Sequence, residues 1–167
     1  TSLDLSECAI GSSISCNGIC LTATSIRKID NENFTFSVNL SEETKDRIAE
    51  MGELINIEKS LKVGDEISGH FVYGHIDCVS EIIKIEKLNA SWDFEFKKDD
   101  KMKKYIIEKG SVSINGVSLT IAKVYSNSFS VSIIPHTFQS TNLKVLKIKD
   151  LVNIEYDALA RYILNNE

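Results

Sequence analysis

The chain has 167 residues, with 19 Lys and Arg against 24 Asp and Glu, a formal charge of −5, and 43% hydrophobic content. This is an ordinary globular balance with enough chain for one core or two small ones, and it argues against a disordered chain. The acidic surplus argues against a nucleic-acid partner, and no apolar run approaches the roughly 20 residues needed to cross a bilayer. Four cysteines (Cys8, Cys16, Cys20 and Cys78) are too few for a disulfide scaffold, and no His or Cys completes a zinc set. The expectation is no metal, and reduced thiols in a cytoplasmic protein.

In chain order, the predicted elements are mostly strands. Ile19 and Leu21 alternate with Cys20 and Thr22 directly after Asn17-Gly18, the strongest short hairpin signal because that turn needs positive φ at both positions. Phe34, Phe36, Val38 and Leu40 form a second alternating strand. A short helix fits 41–51, closed by Gly52, and another fits 101–109, closed by Gly110. Segment 70–98 supplies about two more strands and ends near Trp92 to Phe96. Val112 and Ile114, then Asn115-Gly116, then Val117, Leu119 and Ile121 form a second hairpin of the same kind.

The two hairpins are copies. Residues 12–22 read onto 110–120 at an offset of 98, Phe36-Ser37-Val38 returns as Phe129-Ser130-Val131, and Leu54-Ile55-Asn56-Ile57-Glu58 returns as Leu151-Val152-Asn153-Ile154-Glu155. Three matches in one order imply two tandem copies of a small β domain, and many short strands with few helices point to closed barrels. Position 1 aligns with position 99, so segment 70–98 has no counterpart before the first copy. A barrel without two strands exposes two edges, which leads us to expect a chain truncated at its N-terminus.

Taken together, Gly18 to Thr22, Ser68 to Asp77, Lys109-Gly110-Ser111, Asn115 to Thr120, Ile134 to Thr137 and Val152 to Asp157 resemble the riboflavin synthases over essentially the whole chain. The resemblance implies an all-β chain of two tandem six-stranded Greek-key barrels plus a C-terminal helix. The first barrel (1–68) lacks its N-terminal strands, the second spans 69–156 and the helix 157–167. It implies a cytoplasmic homotrimer that uses no metal and no cofactor. The implied reaction takes two 6,7-dimethyl-8-ribityllumazine molecules to riboflavin and 5-amino-6-ribitylamino-uracil. The family's N-terminal Met-Phe-Thr-Gly-Ile segment is absent.

The resemblance also implies site residues. Cys20 and Ser118 are equivalent in the two copies, and a thiol is the better nucleophile of the pair. Taken alone, a strand cysteine is usually a small core residue, and the family motif reverses that reading. His75 follows Gly74 and matches the family's catalytic histidine, in a pKa class suited to moving a proton from the lumazine's ring methyl. Asp157 is either catalytic support or the N-cap of the final helix. Substrate binding is expected at Leu21, Thr22, Asn39, Leu40, Ser41, Glu42, Glu43, Thr44, Gly74 and Ile76 in the first copy. In the second it is expected at Lys109, Val117, Leu119, Thr120, Ile133, Ile134, Pro135, His136, Thr137 and Phe138.

His70 is expected to be packed, on the face opposite His75. Leu159, Tyr162 and Ile163 form an apolar stripe on the last helix that suits packing between subunits. One departure from the family pattern lies in the first copy, where Ile48 stands in place of a threonine that the second copy keeps as Thr141. Two rivals are weighed. A non-catalytic lumazine-binding protein predicts loss of Cys20, His75 and Ser118, and all three are present. A flavin oxidoreductase domain needs a Gly-rich nicotinamide-binding unit, and none follows.

Overall fold

The computed structural model describes residues 1–164. The first copy forms β1 (Ser13–Cys16), β2 (Ile19–Lys28), β3 (Phe34–Val38) and β4 (Ile57–Lys59). These pair antiparallel as an open four-stranded sheet in the order β3-β2-β1-β4. The second copy forms β5 (Cys78–Lys87), β6 (Trp92–Lys97), β7 (Ser111–Ile114), β8 (Val117–Val124), β9 (Ser128–Ile133) and β10 (Leu151–Tyr156). Here the order is β10-β5-β6-β9-β8-β7, closed into a barrel.

The repeat explains why one copy closes and the other does not. β1, β2, β3 and β4 correspond to β7, β8, β9 and β10, whereas β5 and β6 have no partner in the first copy. Equivalence extends to detail: Asn17 and Gly18 take φ of 49° and 78°, Asn115 and Gly116 48° and 86°, as a two-residue hairpin turn requires. A register shift falls between Ala23 and Ser25 in β2 and between Ile121 and Lys123 in β8, the same place in each copy. The barrel core is filled by Phe94, Phe96, Phe129, Val131, Ile133 and Ile154, and a separate cluster under the open sheet gathers Leu5, Ile14, Ile19 and Leu21. The edge of β3 is covered at Phe34, which exchanges two 2.9 Å hydrogen bonds with Thr1.

Both expected helices are shorter. The 41–51 pattern forms one turn, α1 (Glu42–Lys45), capped by Ser41, whose Oγ accepts the Thr44 N–H. Beyond it the chain is drawn off to the other copy, because the Ala49 N–H donates to Asn153 Oδ1 at 2.7 Å. The 101–109 pattern gives a 3-10 segment over Asp100–Tyr105, and Lys109, not Gly110, takes the positive φ of 65°. α2 (Pro135–Ser140) follows β9, and α3 (Ala158–Leu164) closes the described chain.

Asparagines hold the two copies together around a local two-fold. Asn17 and Asn115 sit at the two turns, 5% and 3% exposed. Each turn residue's N–H donates to the carbonyl of Asn56 or Asn153, and its Oδ1 accepts that residue's N–H in return. The bonds then cross between copies: Asn153 Nδ2 donates to the Asn17 carbonyl, and Asn56 Nδ2 to the Asn115 carbonyl. Asn142 adds a bond from Nδ2 to Asn17 Oδ1 that its counterpart Ala49 cannot make. Buried amide groups are thereby paired with one another, which makes their burial tolerable.

Candidate active site between the two copies

The functional side chains are organised by an irregular strap, residues 69–77, between β4 and β5. It is not a strand, so the expectation that His70 and His75 occupy opposite faces of one does not hold. Instead the strap touches both copies. Gly69 lies against Ser118, and an added Cβ there would come within 2.4 Å of the Ser118 Oγ. Gly74 lies against Cys20: its φ is +78°, and an added Cβ would meet the Cys20 nitrogen at 2.6 Å. Only glycine permits that approach. The Cys20 N–H donates to the Gly74 carbonyl at 2.9 Å.

One side of this contact is a cleft of about 300 Å³ that brings together Cys20, Glu43, Thr44, Gly74, His75 and Ile76. All six were expected to catalyse or bind. Because β2 alternates, Ile19 and Leu21 fill the core while Cys20 and Thr22 face outward. Burial lifts the Cys16 and Cys78 thiols to about 11, which leaves them protonated and inert, and of the four thiols only that of Cys20 is exposed. Ile48 also lines the cleft, so the departure from the family pattern puts an apolar group beside the candidate nucleophile. Leu21 is 5% exposed and pairs with Ile14 on β1, so it belongs to the core under the open sheet and lies outside the lining of this cleft. Asn39, Ser41 and Glu42 are exposed and Leu40 is half-buried, all outside the lining of this cleft.

On the other side, a cavity of about 610 Å³ lies between the copies, lined by Cys20, Glu58, His70, Gly74, Val117 and Ser118 among others. His70 is no bystander here. Its Nδ1 lies 2.7 Å from the Ser118 Oγ, its backbone N–H donates to the same oxygen at 3.3 Å, and its buried Nε2 has no partner among the described residues. Burial holds the His70 pKa below its usual value, and the Asp157 charge opposes that shift. A neutral imidazole beside a hydroxyl can accept its proton. Asp157 also caps α3, its Oδ1 accepting the Leu159 N–H at 2.9 Å, so both readings of this residue have a physical basis.

The remaining second-copy residues are spread along the barrel wall. Leu119 is half-buried against the barrel core, and Thr120 is exposed. Lys109 is exposed with its N–H bound to the Ile121 carbonyl. Ile133 is fully buried in the core, Ile134 is 59% exposed and Pro135 opens α2. His136 is exposed, the Thr137 carbonyl accepts from Thr141, and Phe138 stacks on Trp92 with ring centroids 4.1 Å apart.

The lumazine binding domain matches this chain twice, over residues 1–60 and 73–157. The chain is 39% identical over 165 residues to the riboflavin synthase of Photobacterium phosphoreum, covering 96% of this chain and 73% of that one. The chain belongs to the riboflavin synthase family. It is 40% identical over 168 residues to the riboflavin synthase of Buchnera aphidicola subsp. Schizaphis graminum, covering 99% and 79% of the two chains. Its fold is also that of LumP complexed with riboflavin, at a TM-score of 0.76 and 20% identity over 91% of this chain and 82% of that one. Like other riboflavin synthases it is an enzyme, a transferase, built from two lumazine-binding repeats.

Within this riboflavin synthase chain, the reading from sequence missed Glu155. It is 1% exposed, yet its carboxylate accepts the N–H groups of Tyr73, Gly74 and His75. The signal was present: Asn153 and Glu155 are polar residues two apart on an otherwise apolar strand, and both return in the first copy as Asn56 and Glu58.

Proposed function

We propose that this chain converts two molecules of 6,7-dimethyl-8-ribityllumazine to riboflavin and 5-amino-6-ribitylamino-uracil, with Cys20 and His75 as the central catalytic pair. The observation that carries this reading is the cleft where an exposed thiol, an imidazole and the Thr44 hydroxyl meet on a fixed glycine backbone. The overall equation balances without an oxidant, since one lumazine gives up the four carbons that the other accepts. Cys20 adds to an electrophilic ring carbon, and His75 takes a proton from the acidic ring methyl. Ser118, paired with His70, serves the second substrate molecule, with Asp157 in support. Holding two substrates in register is worth up to roughly 7–11 kcal/mol of barrier.

The remaining family residues are assigned to binding: Leu21, Thr22, 39–44, Gly74 and Ile76 in the first copy, Lys109, Val117, Leu119, Thr120 and 133–138 in the second. We assign the assembly to a homotrimer that uses the exposed stripe of α3, where Leu159, Tyr162 and Ile163 are 65%, 75% and 67% exposed. The reduced state of all four cysteines supports a cytoplasmic setting. No helix of the described residues is long and apolar enough to cross a membrane. The test is direct: mixing the protein with the lumazine gives rising riboflavin absorbance. Tight lumazine binding with no riboflavin formed would identify a carrier instead.

A further inference from the structure

We infer that Glu155 is a positioning residue for the cleft that holds Cys20 and His75, acting from the opposite copy by gripping the backbone of the strap. This rests on the proposed roles of Cys20 and His75. Glu155 belongs to β10 of the closed barrel, whereas the cleft is built on β2 of the open sheet. Oε1 accepts the Tyr73 N–H at 2.8 Å, and Oε2 accepts those of Gly74 at 2.8 Å and His75 at 3.0 Å. Its nearest cation, the Arg161 guanidinium, is 3.9 Å away and closer to Asp77, at 3.3 Å. The three amides are therefore the main compensation of this buried carboxylate, with Arg161 a weaker contribution at the limit of ion-pair distance.

Gly74 is consequently held from both sides: its N–H by Glu155 and its carbonyl by the Cys20 N–H. A planar peptide transmits such restraints without slack, so the carboxylate fixes the height of the His75 backbone relative to the Cys20 strand. Among the described residues, Glu155 and the Cys20 N–H make the only hydrogen bonds to the middle of the strap. His70 is tied at one end to Ser118, and the Asp77 N–H at the other to the Ile154 carbonyl. A carboxylate needed only to fill space would be better replaced by an apolar side chain. The mirror residue Glu58 makes the contrast: it faces the cavity between the copies, with no N–H donor on its carboxylate among the described residues.

The experiment uses the full chain. Glu155→Gln keeps the shape of the side chain but aims an amide NH2 at backbone donors. Its kcat for the lumazine should fall about a hundredfold, the cost of a displacement of about 1 Å, with KM changed less than about threefold. Ser113→Ala, which alters the buried residue paired with Glu155 on β7, should leave both near their original values. In the unmodified chain, hydrogen exchange should show the Tyr73, Gly74 and His75 amides protected although the side chains of Tyr73 and His75 are exposed. Rapid exchange at these three amides, or a Glu155→Gln variant with unchanged kcat, overturns the inference. The amide readout is independent of turnover, so it still decides the matter if the chain forms no riboflavin and the functional reading itself fails.

Discussion

At Cys20 and His75 the proposed chemistry divides binding from turnover. Both act after the substrate is seated, so Cys20→Ser and His75→Gln should each lower kcat by at least about tenfold while lumazine affinity, read by fluorescence titration, shifts far less. A variant with near-normal turnover removes that residue from the mechanism. His70 supplies a second test, through pH. Burial depresses its folded pKa below the usual 6.5, so the unfolded chain binds the proton more readily. Stability from this group is therefore complete above pH 6.5 and declines as pH falls toward the depressed value. Glu155 and Asp77 are shifted upward by burial and work in the opposite sense, so the comparison must be made by difference. Urea midpoints of His70→Gln should fall less between neutral and mildly acid pH than those of the unmodified chain. An unchanged slope would place His70 in contact with water. From sequence, Cys20 was legible through its pairing with Ser118 across the repeat under the family motif, and His75 through its match to the family's histidine, because 70–98 has no copy upstream. The partnership of His70 with Ser118 was not, since it depends on a strap that follows no strand periodicity.

The strap and the asparagine cluster show what elements can be read from sequence and what cannot. Both Asn-Gly hairpins were visible because turn chemistry is local. The helix expected over 41–51 failed because a tertiary bond, Ala49 N–H to Asn153, competes for the backbone there. In the same way, the cross-copy amide bonds have no local signature beyond the repetition of Asn56 and Asn153. Asn153→Ala removes an acceptor for Ala49 and a donor to the Asn17 carbonyl, leaving buried groups unpaired. We expect a loss of about 1–3 kcal/mol, with the denaturant slope m preserved. A cost below about 0.5 kcal/mol would mean that water replaces the side chain there.

On the scale of the whole molecule, the two copies differ in self-sufficiency. The barrel's core cluster contains only residues from 78 onward, whereas the open sheet's cluster borrows Ile76 from the strap. A fragment of residues 69–167 should fold cooperatively, with a single unfolding transition by circular dichroism, and 1–68 should aggregate through the free edges of its sheet. A soluble, cooperatively melting 1–68 fragment would contradict this. The duplication and the inequality of the halves were legible from the repeat alone, because strands β5 and β6 are long alternating runs with no match upstream. How the halves face each other was not, because that depends on side chains from both copies meeting at one axis.

The two Asn-Gly turns have a chemical consequence as well. Asn-Gly is the dipeptide at which an amide side chain is most readily lost through attack by the following backbone nitrogen, and that attack needs a backbone free to fold back on itself. Here Asn17 and Asn115 are buried and fixed at positive φ, with each Oδ1 engaged by a partner's N–H, so the native protein is shielded from this decay. Unfolding removes the shield at both turns together. A chain that has deamidated while unfolded, with an isomerised link in a turn that tolerates only one geometry, cannot close the interface again. Time spent unfolded is thus recorded covalently, and heat inactivation of this protein should turn from reversible to irreversible with the appearance of isoaspartate at residues 17 and 115.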